Sequence, residues 1–514
     1  MSTPISRRTV LAGTSVTALW AVAGPPNARA ATKPSLTITT GSDFSSLDPD
    51  KYVTGQDYLL YGNMFEGLYG LDENSKLTPA LAEKCDIAAD GLAYAFTLRA
   101  GAIWHNGDPV TTDDVIFSIK RTLEPGRNSR AAFIAGNIAN IDRVDDRKFV
   151  VRLKTIDALT LEKLGLHWQV KPKAYIEKVG EEAFVAHPVG SGPFEFVERR
   201  PSQYVKMRAF EKHWGRVPKV AEVTVRIAPE EQSRLAQVMA GESDVVWPIS
   251  PVLASRLDSQ ANVQVIRVPT YLNIFLQLNS KHPEMSKRGV RQAFWMAIDR
   301  AQLFKAMIGA YGDLEELWCT EGQVGCSAPV TPYPYDPKRA RALLEESHFD
   351  FAKPIKFAAM APGRVAQAKE SAEAITEYLR RVGVNVDLQV MEYGAWSAVH
   401  SAKDKDPSVA LLFAPAPDPS ADVAYRLQTQ IASTGAFTWA SLPDVDEKLK
   451  RINRFTDLEA RDKFVGEVLM NVHDEALVIP LWSLSTNYVA GKSINFKIPP
   501  FLSAPLLWNV EKKV

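Results

Sequence analysis

The residue types that most often do chemistry are present in this chain but are not spaced to do it. Eight histidines stand at positions 105, 167, 187, 213, 282, 348, 400 and 473. No two are three or four apart, so no helix face offers a pair of imidazoles to a metal ion. There is no Gly-x-Ser-x-Gly, no His-Glu-x-x-His and no glycine-rich phosphate loop. Gly190-Ser-Gly192 runs straight into Pro193 and reads as a hinge turn rather than a nucleophile elbow. His473-Asp474-Glu475 is expected as a solvated polar cluster on a helix. No catalytic residue, metal ligand or cofactor is therefore expected, and a secreted hydrolase stands as the alternative class. Cys319 and Cys326 lie seven apart across a glycine-containing loop that could close into a disulfide, the other reading being two buried thiols. Cys85 has no evident mate.

The elements that must position any binding residues are clearest between Leu92 and Arg121. Tyr94, Phe96 and Leu98 alternate with Ala95, Thr97 and Arg99, the period of a strand with one buried face. Asn106-Gly107 tolerates positive φ and can reverse the chain, and Thr111 with Asp114 has capping-box spacing for a helix that follows. Val115, Ile116, Ile119 and Leu123 give that helix an apolar stripe, and Glu124-Pro125-Gly126 ends it. Downstream, strands are expected at Phe149 to Leu153, Tyr204 to Arg208, Val223 to Ile227, Asp244 to Trp247 and Tyr271 to Leu278, with a helix from Glu230 to Ala240. The later segment predicts helices at 287–309, 337–347, 365–381 and 443–455 and strands at 355–359, 384–391 and 409–413. Several strand-helix-strand blocks in both halves argue for two α/β lobes.

With 46% apolar and 23% charged residues the chain has the composition of a soluble protein, and 514 residues suggest about three domains. Residues 1–30 have the three-part layout of an export signal: Arg7-Arg8, an uncharged apolar run from Leu11 to Gly24, and Ala28-Arg29-Ala30 as a small-x-small cleavage site. The twin arginines favour the Tat route over Sec. The run is shorter than the roughly 20 residues a membrane span needs, and no cysteine follows it, so no permanent membrane anchor is expected. Sixty basic residues balance sixty acidic ones, and loss of Arg7, Arg8 and Arg29 leaves a mature chain at −3 starting at Ala31. Without a basic stripe, nucleic acid is excluded as a partner.

One set of motifs runs through nearly the whole chain after residue 35. It comprises Leu77-Thr-Pro-Ala-Leu-Ala-Glu83, Asp90-Gly91, Phe96-Thr-Leu-Arg99, Trp104-His-Asn-Gly-Asp-Pro109 and Asp113-Asp-Val115. It continues with Gly190-Ser-Gly-Pro-Phe194, Trp214-Gly215, Gly241-Glu-Ser-Asp244, Val290-Arg-Gln-Ala-Phe294, Ala297-Ile-Asp-Arg300 and Tyr335-Asp-Pro337. In order and spacing this resembles the family five extracellular solute-binding proteins, the peptide and nickel class of ABC importer receptors. The resemblance implies a two-lobed α/β periplasmic binding protein of the class C (cluster C) type, with a hinge and an additional subdomain. Lobe I is expected at 31–75, 188–279 and 480–514, the extra subdomain on it at 76–187, and lobe II at 280–479. The implied activity is capture of a peptide or similar small organic solute in the periplasm and its delivery to the permease subunits. The implied receptor is a monomer, and ATP hydrolysis belongs to its partner.

A fold of that kind turns certain aromatic and charged residues inward. Tyr52 and Tyr58 flank Thr54-Gly55, Trp168 follows Leu164-Gly-Leu-His167, and Trp247, Tyr271 and Trp396 end apolar runs. Core packing is the other reading of each. Arg364 follows Pro362-Gly363 at the start of a helix, where a guanidinium beside free amide hydrogens suits a carboxylate. A corresponding position in related receptors holds a peptide's C-terminal carboxylate; a solvated surface arginine is the alternative. In peptide-binding relatives an aspartate pairs with the ligand's α-ammonium at a position occupied here by Pro415. Either Asp418 or Asp422 takes that role from a shifted loop, or the ligand has no free α-amine. An amine-blocked peptide, an opine, a sugar and a metal chelate all stay open.

Overall fold

The computed structural model describes residues 33–44, 46–51, 55–72, 76–127, 129, 132–166, 168–362, 365, 367–418, 421–499 and 504–513. Residues 1–30, read from the sequence as an export signal, and Tyr52 and Arg364 lie outside these residues.

The strand Ala93–Leu98 buries Tyr94, Phe96 and Leu98 as its alternation demands. It pairs on either side with Ala82–Ile87 and Lys148–Leu153, and Ile138–Arg143 completes a four-stranded antiparallel sheet. Helix Thr112–Thr122 begins where the Asp114 carboxylate accepts Thr111 N–H at 2.8 Å, and it adds Val115 and Ile119 to the core under that sheet. Leu123, expected on the buried stripe, falls just past the helix end and is exposed.

A buried ion cluster fastens this subdomain to the chain's N-terminal part. Arg121 holds Asp50 at 2.5 Å, Asp48 at 2.9 Å and Glu181 at 2.5 Å, while Lys171 reaches Asp50 at 2.7 Å. Burial by itself would raise the Asp50 pKa, but the charges of Lys171 and Arg121 outweigh it and hold the carboxyl below its usual value. Such a cluster fixes geometry more than it stabilises, because each charge gives up its water to join it.

The large sheet carries the two-lobed architecture. Its order runs Val386–Met391, Ile355–Met360, Val409–Pro417, Val263–Leu278, Val478–Gly491, Val245–Ile249, Ser35–Thr40, Glu222–Ile227, Tyr204–Ala209 and Phe194–Arg200, with Gly312–Leu314 added to Val478–Gly491. At the centre are the two longest strands, of 16 and 14 residues, paired antiparallel. They are the two connections common to both lobes, with the apolar core around Phe294, Phe357 and Leu412 at one end and that around Leu36, Phe194 and Val223 at the other.

Three expectations are corrected. The helix read as 287–309 is two helices, Arg288–Ala297 and Arg300–Met307, because Ile298 is extended and the Asp299 side chain caps the second by accepting Gln302 N–H at 2.9 Å. His473 is not solvated; it lies buried with Trp295 and Tyr333 at ring separations of 5.1 and 5.0 Å. Gly190-Ser-Gly192 is not the hinge. Gly192 N–H donates to Met64 O at 2.9 Å and a Cβ on Gly192 would lie 2.6 Å from Asn63 O, so these glycines let the chain pass hard against the end of helix Gly55–Met64. His105 locks the same turn, with its Nε2 2.9 Å from Gly192 O and its Nδ1 accepting Gly190 N–H at 3.2 Å.

Candidate functional site

The paired central strands lose register at two places, between Pro269 and Asn273 and between Ile274 and Phe275, and the first shift is the wider. Between Pro269, opposite Ser485, and Asn273, opposite Ser483, the strand Val263–Leu278 carries three residues where its partner has one. Thr270, Tyr271 and Leu272 form this bulge, which bends the strand and re-aims its side chains. Thr270 Oγ1 donates to Leu484 O at 2.7 Å and accepts Leu272 N–H at 3.2 Å, so the bulged backbone keeps its hydrogen bonds. Tyr271 O accepts Asp418 N–H at 2.9 Å, tying the bulge to the end of the strand Val409–Pro417. Burial pushes the Tyr271 phenol up to about 12, and the charges of Asp418 and Glu162 add to it.

Charged side chains gather around that bulge. Arg426, fully buried, donates to Trp318 O at 2.8 Å and to Gln323 Oε1 at 3.0 Å, and pairs with Asp418 at 3.4 Å. Gln323 Nε2 donates to the same Asp418 oxygen at 3.2 Å. Asp422 pairs with Arg461 and accepts Ala424 N–H at 2.8 Å. From the other side, helix Thr160–Leu166 sends Glu162 across to accept Ala421 N–H at 3.3 Å. Burial first, and then the negative charge of Asp422, push the Glu162 carboxyl up to about 8, with Arg461 and the Ala421 amide pulling the other way.

Beside the bulge lies a recess of about 940 Å³ with apolar walls at Leu314, Leu317, Val324 and Leu458. Cys319 and Cys326, joined as a disulfide, line it as well. Gly325, at φ +98, donates its N–H to Asp462 at 2.6 Å, a turn that any other residue would strain. The loop passes close to the bulge: a Cβ added at Gly322 would lie 3.8 Å from Tyr271 Oη. Glu315 extends inward, its Oε1 accepting from Asn273 and, at 2.9 Å, from Thr320 Oγ1. Burial pushes this carboxyl up to about 7. Among the described residues no group of three His, Cys, Asp or Glu side chains is placed to hold a metal ion, and no helix is long and apolar enough to cross a membrane.

The family model for bacterial extracellular solute-binding proteins, family 5 (middle region), matches residues 76–433. The chain belongs to that family. This solute-binding protein is 27% identical over 410 residues to the glutathione-binding protein GsiB of Pectobacterium atrosepticum, covering 79% of this chain and 76% of GsiB. The solved structure of HbpA2 from Haemophilus parasuis superposes with a TM-score of 0.86 at 18% identity, over 93% of this chain and all of that one. CtaP from Listeria monocytogenes, an ABC transporter substrate-binding protein, gives 0.83 at 22% identity over 94% and 99% of the two chains. These likenesses show the two-lobed α/β fold, and the family makes the chain a receptor for a solute.

Of the residues the sequence offered as ligand contacts for this solute-binding protein, the structure brings together Tyr271 and Asp418, with Asp422 beside them. Trp168 is wholly buried in the subdomain core and donates to Thr122 Oγ1 at 3.1 Å. Trp247 is packed on Tyr488 at 5.3 Å within the first lobe's core. Trp396 is sandwiched by Tyr393 and His400 in the second. Tyr58 leans on Leu71 and Leu506, and burial pushes its phenol up to about 12. The sequence reading missed Glu162, Glu315, Arg426 and Arg461. Glu315, Arg426 and Arg461 are buried by partners distant in sequence, so nothing in their neighbourhood along the chain distinguishes them from surface charges.

Proposed function

We propose that the protein is the periplasmic substrate-binding receptor of an ABC importer that closes two lobes on a small peptide-like solute and does no chemistry on it. The observation that carries this is the pair of central strands shared by both lobes, bulged at Tyr271 and flanked by a contact in which Glu162 of one lobe meets Ala421 of the other. A solute held by both lobes stabilises the closed form through contacts it makes only there. The glutathione binding of the GsiB relatives supports a solute with peptide bonds and charged ends.

In this reading residues 1–30 are a Tat-type signal cleaved after Ala30, the mature chain is a monomer, and its partners are the solute and the permease subunits. Tyr271 contributes a wall of the binding cleft. Asp418 and Asp422 do not replace the missing aspartate at Pro415, because a buried guanidinium already compensates each of them. The test is native mass spectrometry of protein purified from its own host, followed by small-angle scattering with and without the co-purified molecule. An unmodified small molecule and a smaller radius of gyration in its presence are expected. Identical scattering profiles, or a chemically altered molecule, would overturn the proposal.

A further inference from the structure

Six carboxylates line the recess beside the hinge, those of Glu315, Glu316, Glu321, Asp457, Glu459 and Asp462, and no lysine, arginine or histidine does. Three of the six have structural roles. Glu316 pairs with Arg300 at 2.5 Å, Asp457 caps the helix Leu458–Asp474 by accepting Ala460 N–H at 2.9 Å, and Asp462 holds Gly325. Glu321 and Glu459 stand exposed at the rim.

Glu315 supplies an independent observation. Its Oε1 has two donors, but its Oε2 has no hydrogen-bond partner although the residue is only 3% exposed. A buried acceptor left without a donor is destabilising, and Glu315 is one of the residues that line the recess. The leucine and valine walls suit the methylene stem of a long cationic side chain, whose charged head would then meet carboxylates at close quarters.

We propose that this recess is the subsite for a cationic group of the imported solute, a primary ammonium or a guanidinium, with Glu315 accepting its N–H at the inner end and Glu321 and Glu459 drawing it in at the rim. The proposal rests on the receptor reading and names its solute class. Facing Glu315 are Asn273 and Thr320 as donors, Arg426 as a nearby cation and Asp313 as a nearby anion. Since burial holds the Glu315 carboxyl near 7, an arriving cation displaces a proton, and binding tightens as pH rises from 6 to 8.

The probes are N-acetyl-Ala-Lys-Ala and its norleucine counterpart, equal in length and differing in the one charge, titrated calorimetrically into the full mature chain. The lysine probe is expected to bind at least about tenfold more tightly, with an advantage that shrinks as salt rises. That advantage is expected to vanish in the double variant Glu321→Gln/Glu459→Gln, whose changes are on the surface and leave folding intact, and to lose its pH dependence in Glu315→Gln. Equal affinities, or a lysine preference that survives both variants, would overturn the subsite while leaving the receptor intact. Failure of these probes and of every fraction of a host extract to bind at all would overturn the receptor reading along with it.

Discussion

Replacing Glu162 by glutamine isolates the contact between the lobes. Glutamine keeps a carbonyl oxygen for the Ala421 N–H, 3.3 Å away in the native chain, and removes the ability to ionise. In the folded protein the carboxyl sits at about 8 rather than 4.5, because burial removes part of its water and Asp422 and Asp418 face it. Between those two values the folded chain keeps a proton that the unfolded chain has lost. This contribution to stability is therefore complete below pH 4.5 and disappears as pH rises through 8. At about 1.4 kcal/mol per pH unit the full swing is about 5 kcal/mol. Glu162 is only half-buried, and water screening cuts the usable part to about 2 kcal/mol. Urea unfolding followed by the fluorescence of the eleven tryptophans, at pH 5 and pH 9, measures it. Wild type should lose about 2 kcal/mol more than Glu162→Gln over that interval. Glu315 titrates in the same direction but is present in both proteins, so the difference belongs to Glu162. Parallel pH profiles for the two proteins would refute the reasoning.

Acid acts through other groups with the opposite sign. Burial lowers His105 and His400 to about 4 from 6.5, so the unfolded chain binds the extra protons and stability falls as pH drops below 6.5; His105→Gln should flatten part of that loss in the same urea series. Arg426→Met leaves Asp418 buried without its guanidinium and should destabilise by about 3–5 kcal/mol, with part of the loss recovered when Asp418→Asn is added. Thiol titration of the denatured, unreduced protein should find one thiol, Cys85, and three after reduction; opening the short 319–326 loop should cost about 2 kcal/mol.

The fold was legible where one face of an element decides its period. Tyr94, Phe96 and Leu98 follow from alternation that buries one face of a strand, whereas Ile355–Met360 is buried at almost every position and shows itself as a short apolar run followed by a helix and a second strand, Val386–Met391. Where the chain is buried for another reason the sequence misled. His473 lies in a polar run, yet the rings of Trp295 and Tyr333, far away in sequence, enclose it. Trp168, Trp247 and Trp396 carry the chemistry of ligand contacts but spend it on the cores. The bulge at Thr270 to Leu272 left no trace, because a strand with two extra residues has the same composition as one without; only the register against Ser483 and Ser485 reveals it.

The charged cluster beside the bulge is asymmetric between the lobes. Asp418 and Asp422 each meet a guanidinium carried by a helix on their own side, Arg426 and Arg461, so their charges are compensated whether or not the lobes meet. Glu162 arrives from the opposite side, where Arg461, already paired with Asp422, is the cation that offsets it among the described residues, and burial and the charge of Asp422 raise its pKa. Closing an empty cleft therefore costs either the ionisation of Glu162 or its repulsion by Asp422. A solute that brought positive charge between the lobes would remove that cost, whereas an anionic one would add to it. On the proposed receptor reading, ligand charge would then select the closed form through differential affinity for the two states, without any residue having to contact the solute and the hinge at once.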